Sequence, residues 1–297
     1  MSSILTNSSA MNALATLKDV NRGLNQTQDR VSTGLKVASG KDNAAYFAVS
    51  ETMKGDSGMF KAINEGMTAT KNSVATARLG AETVSDIAQQ IVERVAFAQT
   101  DGVNRADVQL EIDALVKNMG TAIEQATFNG DNLVDGSKTT VEVIDEDTPA
   151  NNVAGTQVTV VNGVKRDTDG FATTSFKFSG VDLATIETEF AKINVNSVAA
   201  ETGGTTMAEK LKTAETQLAA SINAATSLGI TENALEGQME FIDSMTDTLD
   251  SGVSSMVDAD MEEEAARLQA YQVQQQLATQ SLSIANQAPQ NILSLFR

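Results

Sequence analysis

Several residue types are missing from this sequence, and each absence removes a class of function. The 297-residue chain contains no Cys and no His. Disulfides, Cys/His metal sites and His-based catalysis are therefore excluded. Trp is also absent and aromatic residues make up only 4% of the chain, which argues against a compact aromatic core. Only two prolines occur, so the sequence leaves room for long uninterrupted helices.

Basic residues are also scarce. The chain has 21 Lys and Arg against 39 Asp and Glu, a formal charge of −18. Nucleic acid is an unsuitable partner because its phosphates require a basic face. The first 20 residues lack the basic and continuous apolar regions of a cleavable secretory signal, which by itself favours a cytoplasmic protein. The acidic run at 145–147 lacks a complete ligand pattern around it and is interpreted as a solvated loop, not a metal site.

Charged residues disappear near the end of the chain. No charge occurs from Leu268 to Phe296, and apolar residues recur there in two rows at helical spacing. The first row is Val273, Leu277, Ile284, Ala288 and Ile292, and the second is Leu268, Tyr271, Ala278, Leu282 and Ala285. Glutamines throughout the stretch argue against a membrane span, which needs about 20 mostly apolar residues. The pattern predicts a helix that is buried against other protein.

The N-terminal segment has a matching pattern. Its apolar residues at seven-residue spacing are Ala10, Leu17, Leu24 and Val31. Such a repeat is typical of a coiled-coil seam. We therefore predict that Ile4–Val31 pairs with Leu268–Phe296. The alternative, two unrelated amphipathic helices that each pack on their own core, remains open from the pattern alone.

Long helical patterns also flank the middle of the chain. After an interruption at Ser39–Gly40, one helix is predicted from about Asp42 to Thr100, and another follows the capping residue Asn104 to about Phe128. Asn129–Gly130 marks a turn. Helix resumes after a capping box in which Thr206 is followed three residues later by Glu209.

Between Gly136 and Gly204 the period changes. Alternation predicts strands near Val141–Val143 and Phe176–Phe178, and a hairpin with Asn162–Gly163 at its turn. A short helix follows from Leu183 to Ile193. The predicted fold is mainly α: long antiparallel helical coiled coils or a bundle formed by the N- and C-terminal halves, with a small α/β insertion. The predicted domains are 1–38 with 258–297, 39–136 with 205–257, and the insertion at 137–204.

Three blocks of the sequence resemble bacterial flagellins. They are residues 24–53, LNQTQDRVSTGLKVASGKDNAAYFAVSETM; residues 128–136, FNGDNLVDG; and residues 256–297, which end in ANQAPQNILSLFR. The residues that carry the resemblance are Arg30, Ser32, Gly34, Lys41, Asp42, Ala44, Ala45, Asn129, Gly130, Asp258, Asp260, Asn286, Gln287, Pro289, Gln290, Asn291 and Arg297. The departures from the family pattern are Val31, Thr33, Asn43, Tyr46, Phe47, Ile292 and Phe296.

The resemblance implies a structural subunit that assembles with many copies of itself into the flagellar filament. It implies terminal helices that line the filament core. Because ordering long terminal segments costs about 1–2 kcal/mol per residue and a monomer offers them few partners, we expect these helices to be disordered in the monomer and to fold on assembly. The expected assembly-interface residues are Leu17, Leu24, Val31, Leu35, Leu268, Val273, Leu277, Ile284, Ile292, Leu293, Leu295 and Phe296.

It further implies secretion through the flagellar export channel to an extracellular filament. The expected partners are the export apparatus, a flagellin chaperone, the filament cap and hook-associated proteins, without nucleic acid or membrane insertion. No catalytic residue and no cofactor are expected. The alternative function is a hook–filament junction protein with flagellin-like ends.

Overall fold

A computed structural model describes residues 7–138, 157–167, 170–196 and 206–295 of the chain. Its helices are α1 (Ser8–Thr33), α2 (Ala44–Phe97), α3 (Arg105–Gln125), α4 (Leu183–Ala191), α5 (Met207–Val257) and α6 (Met261–Leu295). Its strands are β1 (Thr127–Phe128), β2 (Asp131–Asn132), β3 (Val158–Asp167) and β4 (Gly170–Phe178). The predicted fold class, mainly helical with a small insertion, is confirmed. The chain divides into two compact units, Met59–Thr246 and Met1–Gly58 with Asp247–Arg297.

Polar side chains and a glycine set the boundaries of several helices. The sequence predicts two of these boundaries. The Asn104 side chain accepts the backbone N–H of Ala106 at the start of α3. Thr206 and Glu209 form the predicted capping box, with Thr206 N donating to Glu209 Oε2 at 2.7 Å. The first helix ends earlier than expected, because Gly34 adopts a left-handed φ of 73° and its N–H donates to the Arg30 carbonyl.

The unit Met59–Thr246 contains the larger core. Twenty-seven buried apolar residues form one cluster, with contributions from α2, α3, α4, α5 and the β segments. Polar pairs along α2 and α5 join the two helices at seven-residue steps on α2. They are Asn64 with Asp243 at 2.5 Å, Lys71 with Glu236 at 2.6 Å and Arg78 with Glu232 at 2.7 Å. These pairs fix the antiparallel register of the two helices. In this register the apolar faces of both amphipathic helices are buried.

The predicted hairpin turn at Asn162–Gly163 is wrong. β3 continues through these residues to Asp167 and pairs antiparallel with β4, from Val158 opposite Phe178 to Asp167 opposite Gly170. The register shifts between Val161 and Gly163. A Cβ on Gly163 would lie 2.7 Å from Thr174 Oγ1, so glycine permits close contact between the strands at a bulge.

Other predictions for the insertion have mixed outcomes. Phe176 and Phe178 share one face of β4, with ring centroids 6.1 Å apart, as their alternation predicts. The short helix is α4, and its residues Leu183, Ile186 and Phe190 are buried. The strand predicted near Val141–Val143 and the acidic run at 145–147 lie outside the described residues.

The other unit, Met1–Gly58 with Asp247–Arg297, has a sparse core. Three buried apolar residues, Val37, Val253 and Val257, form its cluster. α1 and α6 pack antiparallel in this unit, which confirms the predicted pairing of the chain ends. The loop after α1 is tied to the segment before α6, since Lys36 N donates to the Val257 carbonyl at 2.6 Å and Ala259 N to the Gly34 carbonyl at 2.8 Å.

Candidate assembly surface

One of the two apolar rows of α6 is in contact with α1. Ala278 is buried, and Leu268, Tyr271, Leu282 and Ala285 are half-buried. On α1, Val20 and Thr27 are buried, and the seven-residue seam of Ala10, Leu17, Leu24 and Val31 is half-buried. The pairing of α1 with α6 therefore uses the second row predicted for α6 and the heptad seam predicted for α1.

Close packing and polar contacts fix the register of this helix pair. Tyr271 lies over Gly23, where a Cβ would come within 2.6 Å of Tyr271 Cζ. Gln275 Nε2 donates to Asn21 Oδ1 at 2.8 Å. Asn7 Nδ2 donates to the Ala285 carbonyl at 2.8 Å. Apolar contacts alone would allow α1 to shift along α6. These close and polar contacts fix which residues of the two helices lie opposite each other.

Three side chains of the other row of α6 face outward. The exposed fractions of Val273, Leu277 and Ile284 are 55%, 59% and 69%. On α1, Met11 and Leu14 are also exposed. Large apolar side chains at regular spacing on one helix face are typical of a surface that binds other protein. The structure thus separates the two α6 rows into one that packs within the chain and one that remains available.

A buried carboxylate joins α1 to the start of α6. Glu264 is 4% exposed, and its Oε1 accepts from Arg30 Nη1 at 3.2 Å and from Arg267 Nη1 at 3.3 Å. Glu264 Oε2 has no hydrogen-bond partner within the part of the chain that the structure describes. Because a buried charge without a partner is strongly unfavourable, the two guanidinium groups are needed to hold this carboxylate.

The loop after α1 brings several of the resemblance residues together. Asp42 Oδ2 accepts from Ser39 N at 3.1 Å and from Ser39 Oγ at 3.0 Å. The hydrogen bond from the Ser39 hydroxyl, with further help from Arg30, lowers the pKa of the Asp42 carboxyl from its ordinary value. Gly34, Lys41 and Asp42 thus lie in the connection between α1 and α2, and Arg30 lies in the last turn of α1.

The remaining predicted residues are dispersed. Asn129 and Gly130 adopt positive φ angles of 52° and 82° in the turn between β1 and β2. The Asp260 side chain caps α6 by accepting from Glu262 N at 3.0 Å, and the backbone of Asp258 bridges to Leu35. Ser32, Ala44 and Ala45 are exposed, as are Asn286 and Gln287. Pro289, Gln290, Asn291, Ile292, Leu293 and Leu295 lie on the last turns of α6, and Phe296 and Arg297 lie outside the described residues.

Sequence reasoning missed the pairs that set the α1–α6 register. Gly23 interrupts a helical pattern without ending it, and a glycine inside a helix is the signal that would have indicated close approach of another element. Asn21 and Gln275 gave no comparable signal, because polar residues on a helix face are ordinarily solvated.

Neither a cluster of metal ligands nor a membrane-spanning helix occurs in the described part of the chain. Within residues 7–138, 157–167, 170–196 and 206–295, no three Asp or Glu side chains are grouped closely enough to hold a metal ion. Among the described helices, none combines the length and the apolar composition that crossing a bilayer requires.

Comparison with known proteins gives matches over nearly the whole chain. Residues 4–139 match the model of the bacterial flagellin N-terminal helical region, and residues 209–296 match that of the C-terminal helical region. A flagellin of Brucella melitensis is 35% identical over 301 residues, covering 100% of both chains. Flagellin FljK of Caulobacter vibrioides is 32% identical over 302 residues, covering 100% of this chain and 99% of that protein. The crystal structure of Bacillus cereus flagellin aligns with 60% of this chain and 88% of that one, at 13% identity and a TM-score of 0.44.

Proposed function

This chain belongs to the bacterial flagellin family and is a structural subunit of the extracellular flagellar filament, and we propose that it builds this filament by polymerising with copies of itself. The observation that supports self-assembly is the exposed apolar row on α6, formed by Val273, Leu277 and Ile284. In the filament, the same row on each copy contacts neighbouring copies. Burial of each Leu or Ile side chain contributes about 1.5–3 kcal/mol, which many identical contacts multiply.

We also propose that the terminal helices are disordered in the monomer and fold on assembly. The sparse core of their unit supports this proposal, because three clustered valines bury little apolar area against the entropy of ordering long helices. Ordering each residue costs about 1–2 kcal/mol of backbone entropy. Neighbouring copies supply the missing apolar contacts, so folding and assembly are coupled.

Seeded polymerisation tests the role of the exposed row. Leu277→Ser with Ile284→Ser changes two exposed positions, whereas the control Gln274→Ser with Gln280→Ser changes two exposed polar positions of the same helix. The control is expected to form filaments on added seeds under electron microscopy, and the apolar variant is expected to form none. A chain truncated after Arg267 is expected to fail as well. Normal filaments from the Leu277 and Ile284 variant would contradict the proposed assembly surface.

Copy number separates a filament subunit from a hook–filament junction protein. Antibody labelling of isolated flagella is expected to mark the whole length of the filament. Labelling confined to a short ring next to the hook would favour the junction protein.

The route out of the cell and the remaining partners are further proposals that rest on family membership. We propose that a flagellin chaperone delivers the chain to the flagellar export apparatus, and that the filament ends contact the cap and hook-associated proteins. A strain without the export apparatus is expected to retain the chain inside the cell. The division into 1–38 with 258–297, 39–136 with 205–257, and 137–204 likewise stays a prediction.

A further inference from the structure

One short part of this acidic chain is basic. Residues 18–41 carry five of its 21 basic residues, although the whole chain has a formal charge of −18. Four of the five line an open cavity of about 610 Å³ along the end of α1 and the loop after it: Arg22, Arg30, Lys36 and Lys41. Asp29 and Asp42 line the same cavity, so four positive and two negative side chains leave a lining charge of +2.

Two of these cations have no charged partner of their own. Arg22 pairs with Asp19, and Arg30 pairs with Glu264. Lys36 and Lys41 are exposed, and neither side chain forms an ion pair within the residues that the structure describes. The cavity therefore presents two exposed ammonium groups outside any direct ion pair, although Asp258 of the same copy lines an adjoining cavity with Lys36.

The densest acidic segment among the described residues lies in the same unit. Five carboxylates occur between positions 258 and 264. Asp260 caps α6, Glu263 pairs with Arg267, and Glu264 is buried against Arg30. Glu262 is exposed and, within the described chain, forms no ion pair. Among the described residues of this unit, Lys36 and Lys41 at the basic cavity and Glu262 at the acidic turn thus all lie outside ion pairs.

We propose that the cavity lined by Lys36 and Lys41 binds the acidic first turn of α6, with Glu262 at its centre, of a second copy of this chain. The inference rests on the proposed polymerisation and names one contact that orients it. Copies that each carry a large negative charge repel one another, so association requires a local attraction between unlike patches. In this proposal the two unlike patches meet head-to-tail, and a repeated head-to-tail contact whose rotation does not close a ring generates an open helical filament. Charge complementarity also selects the orientation in which copies meet.

Charge reversal tests this contact. The basic side is reversed by Lys36→Glu with Lys41→Glu, and the acidic side by Glu262→Lys with Glu263→Lys. The control Lys18→Glu with Lys54→Glu makes the same change in net charge as the first variant, at two exposed lysines of the same unit that line neither this cavity nor the acidic turn. Elongation of each chain on seeds made from the same chain is followed by light scattering at low ionic strength, where charge pairs are least screened.

Each single-sided reversal is expected to slow self-elongation on its own seeds by about tenfold or more, because steering by complementary charge changes association rates by at least this factor. The control is expected to elongate within about twofold of wild type after its own change in net charge. The fourfold variant that reverses both sides restores opposite charges in every copy and is expected to recover most of the wild-type rate.

The outcomes separate this contact from polymerisation itself. Wild-type chains that fail to elongate on seeds would overturn the proposed function. Wild-type elongation together with a Lys36 and Lys41 variant that matches the control would overturn only the contact. Loss of elongation in both single-sided variants without recovery in the fourfold variant would also overturn it, since a damaged fold, not a lost charge pair, would then explain both.

Discussion

Gly23 shows how one residue determines the approach of two helices. It lies inside α1, where glycine is unfavourable by about 1 kcal/mol relative to alanine. Its place is explained by Tyr271, whose ring occupies the space that a Cβ would need. The same ring supplies apolar contact along the α1–α6 seam, so the missing side chain on one helix is matched by a large one on the other.

Substitution of this glycine by alanine is expected to separate two effects on stability: the higher helix propensity of alanine and the loss of close packing against Tyr271. Gly55→Ala is the control, because no atom other than the adjacent backbone of its own helix lies within 4 Å of the added Cβ, and it is expected to stabilise by about 0.5–1 kcal/mol. Gly23→Ala is expected to lose this gain and to be less stable than wild type by about 1 kcal/mol, because Tyr271 must move. Urea unfolding of assembled filaments, in which α1 and α6 are folded, followed by circular dichroism measures both. Equal stabilisation by the two substitutions would show that Tyr271 yields freely.

Arg30 is a second residue whose replacement is expected to change stability strongly. Arg30→Gln leaves the buried Glu264 with Arg267 as its remaining charged partner among the described residues. In assembled filaments, where α1 and α6 are folded, we expect a loss of about 1–3 kcal/mol in the free energy of unfolding, because a buried acceptor loses one of its donors. Arg22→Gln removes an exposed pair with Asp19 and is expected to change stability by less than about 0.5 kcal/mol. Equal effects of the two substitutions in urea unfolding would contradict this account.

At the scale of elements, the start of α5 carries a pH-dependent cap. Hydrogen bonds from the Thr206 backbone N–H and hydroxyl lower the pKa of Glu209. Since the folded-state pKa is below the unfolded one, the cap stabilises the helix above the unfolded pKa of the carboxyl. That contribution is lost as pH falls through the folded pKa.

This cap can be followed directly by a titration of carboxyl chemical shifts. Thr206→Val removes the hydroxyl and is expected to raise the pKa of Glu209 toward its ordinary value, while the backbone N–H keeps part of the shift. Thr226→Val removes a hydroxyl that bonds the Ile222 carbonyl on the same helix and is expected to leave the Glu209 titration unchanged. An unchanged titration in Thr206→Val would mean that the hydroxyl has no influence.

The elements differ in how far the sequence predicts them. The long helices follow from apolar spacing and caps, since both signals are local. Asn162–Gly163 misled the prediction because the same dipeptide suits a hairpin turn and a bulge, and only the opposing Thr174 distinguishes them. The two apolar rows of α6 were visible in the sequence, but which row α1 covers depends on Gly23 and Tyr271, a contact between residues distant in sequence.

At the scale of the whole molecule, the two units differ in how much apolar surface they bury. Among the described residues, the unit Met59–Thr246 has 27 in its core cluster, and the other unit has three, besides Val20 and Ala278 buried between α1 and α6. Because burial of apolar area is the main stabilising contribution, local opening is expected to be concentrated in the second unit.

Limited proteolysis of the monomer tests this difference. Trypsin is expected to cleave first after Arg22, Lys36, Lys41 and Arg267, which lie in the unit with the sparse core. Lys117 on α3 is also exposed, but its helix packs on the larger core, and it is expected to resist cleavage longer. Assembly into filaments is expected to protect the early sites. Cleavage after Lys117 at the same rate as after Lys36 would contradict the proposed disorder of the chain ends.

The contact of Tyr271 with Gly23 also gives this molecule an internal optical probe. The chain has two tyrosines and no tryptophan, so its near-ultraviolet emission comes from Tyr46 and Tyr271, without the energy transfer to indole that dominates most proteins. Tyr46 is 51% exposed on α2, whereas Tyr271 rests on the backbone of α1. A Tyr46→Phe chain would therefore emit from Tyr271 alone, and its quantum yield and anisotropy would report when α1 and α6 come together, without any attached dye.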